Sequence, residues 1–422
     1  MQGLDEGGRP AAPVHQSLEV ECAALILHFD GPGSVVLMGG RGSIFGAGLA
    51  RNVRYNFAQC SVPVEVPGRA RLDLTGAVTS HLCVLDAAVG DLHAVLDAAR
   101  ADARRQLHLQ APAADEEAYA GPRVLVVGGP NVGKRSLCRA LMNLAVREKG
   151  RGVAFVDVDV GLPSISAPGS VAAAFVEEPI PVDDGFNAVM PLSFFFGCEV
   201  VASATRKRYL DLCACIAQAV TAVGFARPHF QCGGMIINTM SWTTGLGLDV
   251  LIELAAIFSA THIIVAGSDL ALETTMENSV LGRSVNVMRY PKQSLIMKRS
   301  ASLLTEMRTQ QLVSYFLGTP RTLLSSARLV AKTSEVYFLN ALTLDLMSWH
   351  DIKSCCIASV VHADSIETAA EANVAGFIVL LEIGKRFFSF LSPASSGIPK
   401  PYLLVSSAIS FPLSKVPPLG QT

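Results

Sequence analysis

The chain has 422 residues, of which 50% are hydrophobic and 17% charged, with a formal net charge of −2. That length allows two or three domains with cores of their own, and the composition excludes a disordered chain. The near-neutral balance carries no global signature of a nucleic-acid binder, so any RNA contact has to come from a local patch.

Residues 1–16 are rich in Gly and Pro and are expected to be disordered; they have neither the basic start nor the apolar core of a signal peptide. Residues 17–108 read as a first domain. Its short apolar or alternating runs, Leu25–Phe29, Ser34–Met38, Tyr55–Phe57, Val62–Val66 and Ala70–Leu74, are punctuated by Gly and Pro and predict a small all-β unit. From Ala88 to Leu109, Leu92, Val95, Leu96 and Ala99 share one helical face with arginines elsewhere, which predicts a linker helix. The tract Gln110–Gly121 marks a boundary.

Residues 109–318 alternate between strand-like and helix-like segments. Strand candidates are Arg123–Val127, Ala154–Asp159, Gly234–Asn238, His262–Ala266 and Ser284–Tyr290, with helical candidates such as Arg208–Val223 and Asp249–Phe258 between them. This order predicts a mostly parallel sheet with helices on both faces. Residues 319–422 return to short β-like runs at Glu335–Leu339, Cys355–Val361, Ala375–Leu381, Phe387–Leu391 and Tyr402–Ser406, and predict a second small β-containing domain. The longest apolar stretch, Val374–Leu381, is far short of a membrane span. Cys213/Cys215 and Cys355/Cys356 are too close for a CxxC zinc knuckle and the other cysteines are scattered. They read as buried, reduced thiols of a cytosolic or nuclear protein, with neither zinc nor membrane expected.

The chemistry is concentrated after the first central strand. Gly128-Gly129-Pro130-Asn131-Val132-Gly133-Lys134 follows the apolar run, and the segment from Ser136 to Met142 reads as a helix. This is the strand–loop–helix context that the pattern G-x-x-x-x-G-K-[ST] requires. Backbone N–H groups of such a loop cradle phosphates at a helix N-terminus, and the lysine reaches the terminal phosphates. The candidate nucleotide-binding residues are Gly128, Gly129, Asn131, Val132, Gly133, Lys134, Arg135 and Ser136. The position after the lysine, where a hydroxyl normally holds Mg²⁺, is Arg135; the hydroxyl comes one residue later, at Ser136.

The second strand runs into Asp157-Val158-Asp159, and strand alternation puts the two carboxylates on one face. An acid at a strand end beside a phosphate loop can hold a metal-bound water or accept a hydroxyl proton; the plainer reading is a loop cap. Trp242, after Asn238-Thr239-Met240-Ser241, is placed to stack on a base, a contact worth about 1–3 kcal/mol, or else belongs to the core. Arg206-Lys207-Arg208 begins a helix, and Lys292, Lys298, Arg299 and Arg308 fall in a segment that can close as a lid or form a solvated basic face.

Together these residues resemble the polynucleotide 5′-hydroxyl kinase family, and within it the kinase-fold subunit of the pre-mRNA cleavage and polyadenylation machinery. Ile44-Phe45-Gly46-Ala47-Gly48-Leu49-Ala50-Arg51-Asn52 is similar to the family's I-F-G-x-E-L-x-R-N. Gly121-Pro122-Arg123-Val124 through Lys134 is close to its GPRVMVVGPTDVGK, and Asp159-Val160-Gly161 with Ser164, Ser166, Pro168 and Gly169 follows its D-V-G-Q-G-S-V-S-I-P-G. Ile237-Asn238-Thr239 with Trp242, Gly245 and Gly247 matches I-N-T-x-x-W-x-x-G-x-G. Pro291-Lys292, Arg299-Ser300, Arg308 and Tyr315-Phe316 fall at the lid spacings, and the run from Val374 to Val379, Leu391 to Ala394, and Pro399-Lys400 resemble the C-terminal domain. The resemblance implies an α/β architecture: a central P-loop NTPase-type parallel sheet domain flanked by an N-terminal β-sandwich domain and a small C-terminal α/β domain. It implies ATP and Mg²⁺ as cofactors, RNA and the other cleavage and polyadenylation subunits as partners, and a nuclear location. Lys134 would hold the phosphates, Asp159 would be the base, Ser136 and Asp159 would meet the metal, Trp242 would stack on the terminal RNA base, Arg299 would be a catalytic lid residue over the transferring phosphate, and Arg299 and Arg308 would contact RNA.

The departures from the family pattern lie at that site. Arg135 replaces the metal-holding hydroxyl, and Ser136 lies about 100° further round the helix. Leu162 replaces the Gln after D-V-G, Glu199–Ser203 has no match to the substrate-phosphate segment, and Leu304 stands for a second lid arginine. Ala24 and Val62 fall where the family has an adenine-side Glu and Lys. These changes favour a nucleotide-holding subunit with a degenerate site over a working RNA 5′-hydroxyl kinase.

Overall fold

The computed structural model describes residues 15–83, 87–109, 120–182, 185–186, 191–280, 282, 284–292, 298–319, 324–395 and 397–416. Residues 1–14 of the expected disordered start and 110–119 of the expected boundary lie outside the described residues. The described chain is mixed α/β and carries three sheets.

The first sheet contains β1 (His15–Gly39), β2 (Ser43–Ile44), β3 (Ala47–Gly48), β4 (Arg54–Phe57) and β5 (Cys60–Cys83), in the order β3-β2-β5-β1-β4. The two long strands pair antiparallel in several stretches: 15–21 and 33–39 flank 69–76, and 23–29 lies between 60–66 and 78–83. Alternating side chains from all of these, Leu25, Leu27, Phe29, Val64, Leu72 and Leu74 among them, enter one core. The strands therefore bend over their own apolar face, which period-2 alternation requires of a half-buried sheet.

The central sheet is built from β6 (Arg123–Gly128), β7 (Val153–Asp157), β8 (Ser170–Val176), β9 (Leu192–Phe195), β10 (Met235–Asn238), β11 (His262–Ala266) and β12 (Asn286–Tyr290), in the order β12-β11-β6-β10-β7-β8-β9. The five strands from β12 to β7 run parallel, and β8 and β9 add antiparallel at one edge. Helices α1 (Ala87–Leu109) and α2 (Lys134–Ala145) cover one face, where Leu92, Leu96 and Leu141 meet Val124 and Val126. Helices α3 (Arg206–Ala226), α4 (Pro228–Gly233), α5 (Leu246–Ile257) and α6 (Leu270–Ser279) follow in the chain; from α3 and α5, Leu212, Ile216, Val250 and Leu254 meet Leu125 and Val127 on the other face. Strands buried on both faces explain why these runs are continuously apolar. The predicted linker helix is thus part of the central core, and its fully buried Arg100 donates to Gly233 O at 3.0 Å. The stretch Ser203–Ala226, with mean hydropathy 1.5, is the one described helix long and apolar enough to cross a membrane. Its buried face is the core surface just named.

Helix α7 (Ala301–Leu317) leads to the third sheet, made of β13 (Ala327–Lys332), β14 (Tyr337–Asn340), β15 (Cys356–Val361), β16 (Val374–Ile383), β17 (Phe387–Ser392) and β18 (Tyr402–Ser410), with the one-turn helix α8 (Ile366–Ala369) between β15 and β16. Its order is β13-β17-β16-β15-β18-β14, antiparallel except for the β14–β18 pair. Phe316 and Leu312 of α7 lie in its core, and Tyr315 Oη accepts from Phe377 N at 3.0 Å.

Both outer sheets are bonded to the central one. Asn143 of α2, fully buried, donates to Phe45 O at 2.7 Å and accepts from Ile180 N at 2.8 Å. The Arg139 guanidinium sits 5.1 Å from the Phe45 ring centroid. On the other side Ser406 Oγ donates to Gly197 O at 2.7 Å and Asn373 Oδ1 accepts from Ser193 N at 2.9 Å. Replacing Asn143 with Ala leaves a buried N–H and a half-buried carbonyl unpaired, so Asn143→Ala is expected to lower stability by roughly 1–3 kcal/mol, read as a lower guanidinium midpoint together with faster proteolysis of the first sheet.

Candidate functional site

Strand β10 is inserted between β6 and β7, so three strand ends that are far apart in sequence lie side by side: Asn238 pairs with Val126 on one side and Asp157 on the other. A ligand crevice is expected where the strand order reverses in such a sheet. There the loop after β6 carries Gly128 at φ 149, Asn131 at φ 57 and Gly133 at φ 93. A Cβ on Gly128 would stand 2.4 Å from Ala266 O, so only glycine fits. Helix α2 starts behind Gly133 with no side-chain cap and no acid in its first turn. Its first N–H groups are left for an anion, while Lys134 and Arg135 at the positive helix end cost about 0.3–1 kcal/mol each until one binds.

Lys134 is 7% exposed, and its ammonium donates to Gly128 O (2.6 Å), Gly129 O (3.0 Å) and Ser241 Oγ (2.7 Å). Burial pulls its pKa down to about 8, against the attraction of Asp159.

Asp157, the last residue of β7, is fully buried. Its Oδ1 accepts from Asp159 N (3.1 Å) and from Asn238 Nδ2 (2.9 Å), and its Oδ2 from Ser164 N (2.6 Å). Burial pushes its pKa up, while the nearby Arg135 charge opposes that. The expectation that Asp157 and Asp159 share a strand face is corrected here. The strand stops at Asp157 because its carboxylate takes the N–H two residues on, which turns the chain out of the sheet. Asp159 therefore stands in the loop, with Oδ1 accepting from Gly161 N at 3.1 Å.

Arg135 reaches across from α2. Its Nη2 donates to Leu162 O and lies 3.7 Å from Asp159 Oδ2. Its Nε is buried with no hydrogen-bond partner among the described residues. Arg308 donates through Nε to Gly161 O at 2.7 Å and pairs with Glu199 Oε2 at 3.0 Å; burial raises the Glu199 pKa and the arginine opposes it. Arg299 N donates to Asn131 Oδ1 at 3.3 Å, which ties the lid segment to the phosphate loop.

Gly129, Asn131, Val132, Gly133, Lys134, Arg135, Ser136, Asp159, Trp242, Arg299 and Arg308, predicted from the sequence, all line one cleft of about 360 Å³, in the size range of small-molecule sites. Gly128 lies behind the loop rather than in the lining. Trp242 is half-buried, packs on the central core and also faces the cleft, so both readings of it hold in part. Arg206, Lys207 and Arg208 are elsewhere, paired with Glu253, Asp211 and Ala370 O. Sequence reasoning missed three supporting residues. Ser241 holds the lysine, Asn238 holds Asp157, and Gly247 makes room for Trp242, since a Cβ there would stand 2.1 Å from the tryptophan Cβ. All three sit in or beside the I-N-T-x-x-W segment, which was the available signal.

The loop and the uncapped helix fit the phosphates of a nucleotide. A divalent cation fits poorly, because the carboxylate that would meet it faces a guanidinium. A cation bound there would have to compete with the Arg135 guanidinium for Asp159.

A family model described as the mRNA cleavage and polyadenylation factor CLP1 P-loop matches residues 128–318. The chain is 31% identical over 408 residues to the polyribonucleotide 5′-hydroxyl-kinase Clp1 of Xenopus laevis, covering 89% of this chain and 88% of that one. It is 29% identical over 400 residues to the Homo sapiens protein of the same name, covering 87% and 89%. It is 28% identical over 426 residues to the Protein CLP1 homolog of Nematostella vectensis, covering 92% and 94%. A solved structure of the wild-type Clp1p–Pcf11p complex superposes with a TM-score of 0.80 at 17% identity, covering 94% of this chain and 98% of that one. A second, described by an extended Pcf11p–Clp1p interface and ATP loss in a glycine-to-arginine point mutant, gives 0.78 at 18% identity, covering 94% and 99%.

Because Lys134 keeps its proton less readily folded than unfolded, the unfolded state binds more protons between about pH 8 and the ordinary lysine value of 10.5. The charged lysine therefore costs stability below that window, and the cost disappears as pH rises through it. Relative to Lys134→Met, nucleotide-free protein should gain on the order of 3 kcal/mol between neutral pH and pH ~10.5, measured by guanidinium unfolding at stepped pH.

Proposed function

The chain belongs to the Clp1 family of mRNA cleavage and polyadenylation factors and polyribonucleotide 5′-hydroxyl-kinases, and from that premise we propose that it is a nucleotide-binding subunit of the mRNA 3′-end cleavage and polyadenylation machinery whose kinase site is degenerate. The observation that carries the reading is Arg135 set against Asp159. One Asp159 oxygen takes the Gly161 N–H and the other faces the guanidinium, so a substrate hydroxyl would compete with both for the carboxylate. Arg308 is likewise engaged, by Gly161 O and Glu199.

ATP is the proposed nucleotide. The loop from Gly128 to Ser136 would hold its phosphates through backbone N–H groups, with Lys134 turning from the loop carbonyls to the phosphate oxygens. The bound nucleotide stabilises the domain arrangement by linkage. The proposed domains are the β-sandwich and following helix at 17–108, the helix packing into the central core, the P-loop domain at 109–318 and the C-terminal domain at 319–422. The proposed partners are other subunits of the complex and RNA, with Trp242 stacking on a base and Arg299 and Arg308 near its phosphates; the proposed location is the nucleus.

A second reading, an active ATP-dependent RNA 5′-hydroxyl kinase, is favoured by one observation: Lys134, Asp159, Trp242, Arg299 and Arg308 share the cleft. The test incubates the protein with Mg²⁺, γ-labelled ATP and a 5′-hydroxyl RNA oligonucleotide beside Lys134→Ala, with a parallel ATP titration. Saturable ATP binding, weakened ~10-fold or more in Lys134→Ala, with transfer at background, is the expected result. Transfer that disappears in Lys134→Ala would establish the kinase instead.

A further inference from the structure

Two carboxylates, Asp159 and Glu199, line the cleft among the described residues, and each faces an arginine: Asp159 meets Arg135 at 3.7 Å and Glu199 meets Arg308 at 3.0 Å. The third acid of the region, Asp157, spends its oxygens on Asp159 N, Asn238 Nδ2 and Ser164 N. No described carboxylate therefore stands toward the cleft without an arginine or a full set of N–H donors. Mg²⁺ requires near-octahedral oxygen ligation and gives up its waters reluctantly, and here the hydroxyl that normally holds it is replaced by Arg135, a residue that cannot lose its charge.

The same wall is well made for an anion without a metal. Lys134, Arg135, Arg299 and Arg308 line the cleft against the two carboxylates, an excess of two positive charges beside the uncapped start of α2. Arg135 lines the cleft with its side chain 28% exposed, and the fork of a guanidinium suits two oxygens of one phosphate.

We infer that this cleft takes a nucleoside triphosphate as the metal-free tetra-anion, with the Arg135 guanidinium in place of the divalent cation. The inference rests on the nucleotide-holding reading above and adds which form of the nucleotide is held. A metal-bound triphosphate brings a dication toward Arg135; the free triphosphate brings only negative charge.

The experiment is a calorimetric ATP titration of the full chain in excess EDTA and in excess Mg²⁺, repeated with Arg135→Ser and with a thermal melt of each protein to show that both are folded. The wild type is expected to bind at least as tightly in EDTA as in Mg²⁺. Arg135→Ser is expected to lose ~10-fold or more of its affinity in EDTA, the loss of one charge-assisted phosphate contact, and to recover it with Mg²⁺. Wild-type binding that needs Mg²⁺ overturns the inference and leaves the nucleotide-holding reading intact. An Arg135→Ser protein that binds unchanged in EDTA overturns the role given to Arg135. Absence of binding in both solutions overturns the inference and the nucleotide-holding reading together.

Discussion

One buried carboxylate organises the functional edge of the central sheet. Asp157 ends β7, and its oxygens gather N–H groups from Asp159, from Ser164 and from the Asn238 side chain at the end of β10. A carboxyl group at zero exposure is costly unless its lone pairs are met, so these bonds are conditions for the fold as well as for the site. They turn the chain after β7 so that Asp159 faces the phosphate loop. They also join the end of β10, which brings Ser241 to Lys134 and Trp242 to the cleft.

The price of this site is concentrated positive charge. Two cations at the start of an uncapped helix oppose its dipole, and Lys134 is buried deeply enough for its pKa to fall to about 8. In the nucleotide-free chain these charges are met by loop carbonyls, by Ser241, by Leu162 O and by Asp159. On the proposed reading, a polyphosphate would offer these cations full negative charge in place of loop carbonyls and a hydroxyl.

Helix α7 couples this chemistry to the third sheet. From the middle of the helix Arg308 and Gln311 bond Gly161 O, Pro163 O and Ser166 O in the loop after Asp159. Leu312 and Phe316, further along it, are sealed in the C-terminal core. One helix thus contacts both the loop that carries Asp159 and the core of the third sheet. On the opposite side, Phe45 and Gly46 of the first sheet clasp α2, the helix that begins at the phosphate loop.

Much of this was legible in the chain itself. Continuous apolar runs marked the parallel strands, because strands buried on both faces must be apolar throughout. The glycines at 128 and 133 marked a loop whose backbone enters conformations closed to other residues. The β8 and β9 strands were missed because SVAAAFV is rich in alanine and LSFF is short, so neither carries a strong strand signal. α7 was read only as a lid, although its apolar residues serve two neighbours rather than one face. Local sequence thus determined the parallel strands, the phosphate loop and the cation at position 135. Only the tertiary structure decided what that cation meets. The insertion of β10 and the turn after Asp157 bring residues 135, 159, 162 and 241 together, and pairing across such sequence distances depends on strand order, which no local pattern encodes.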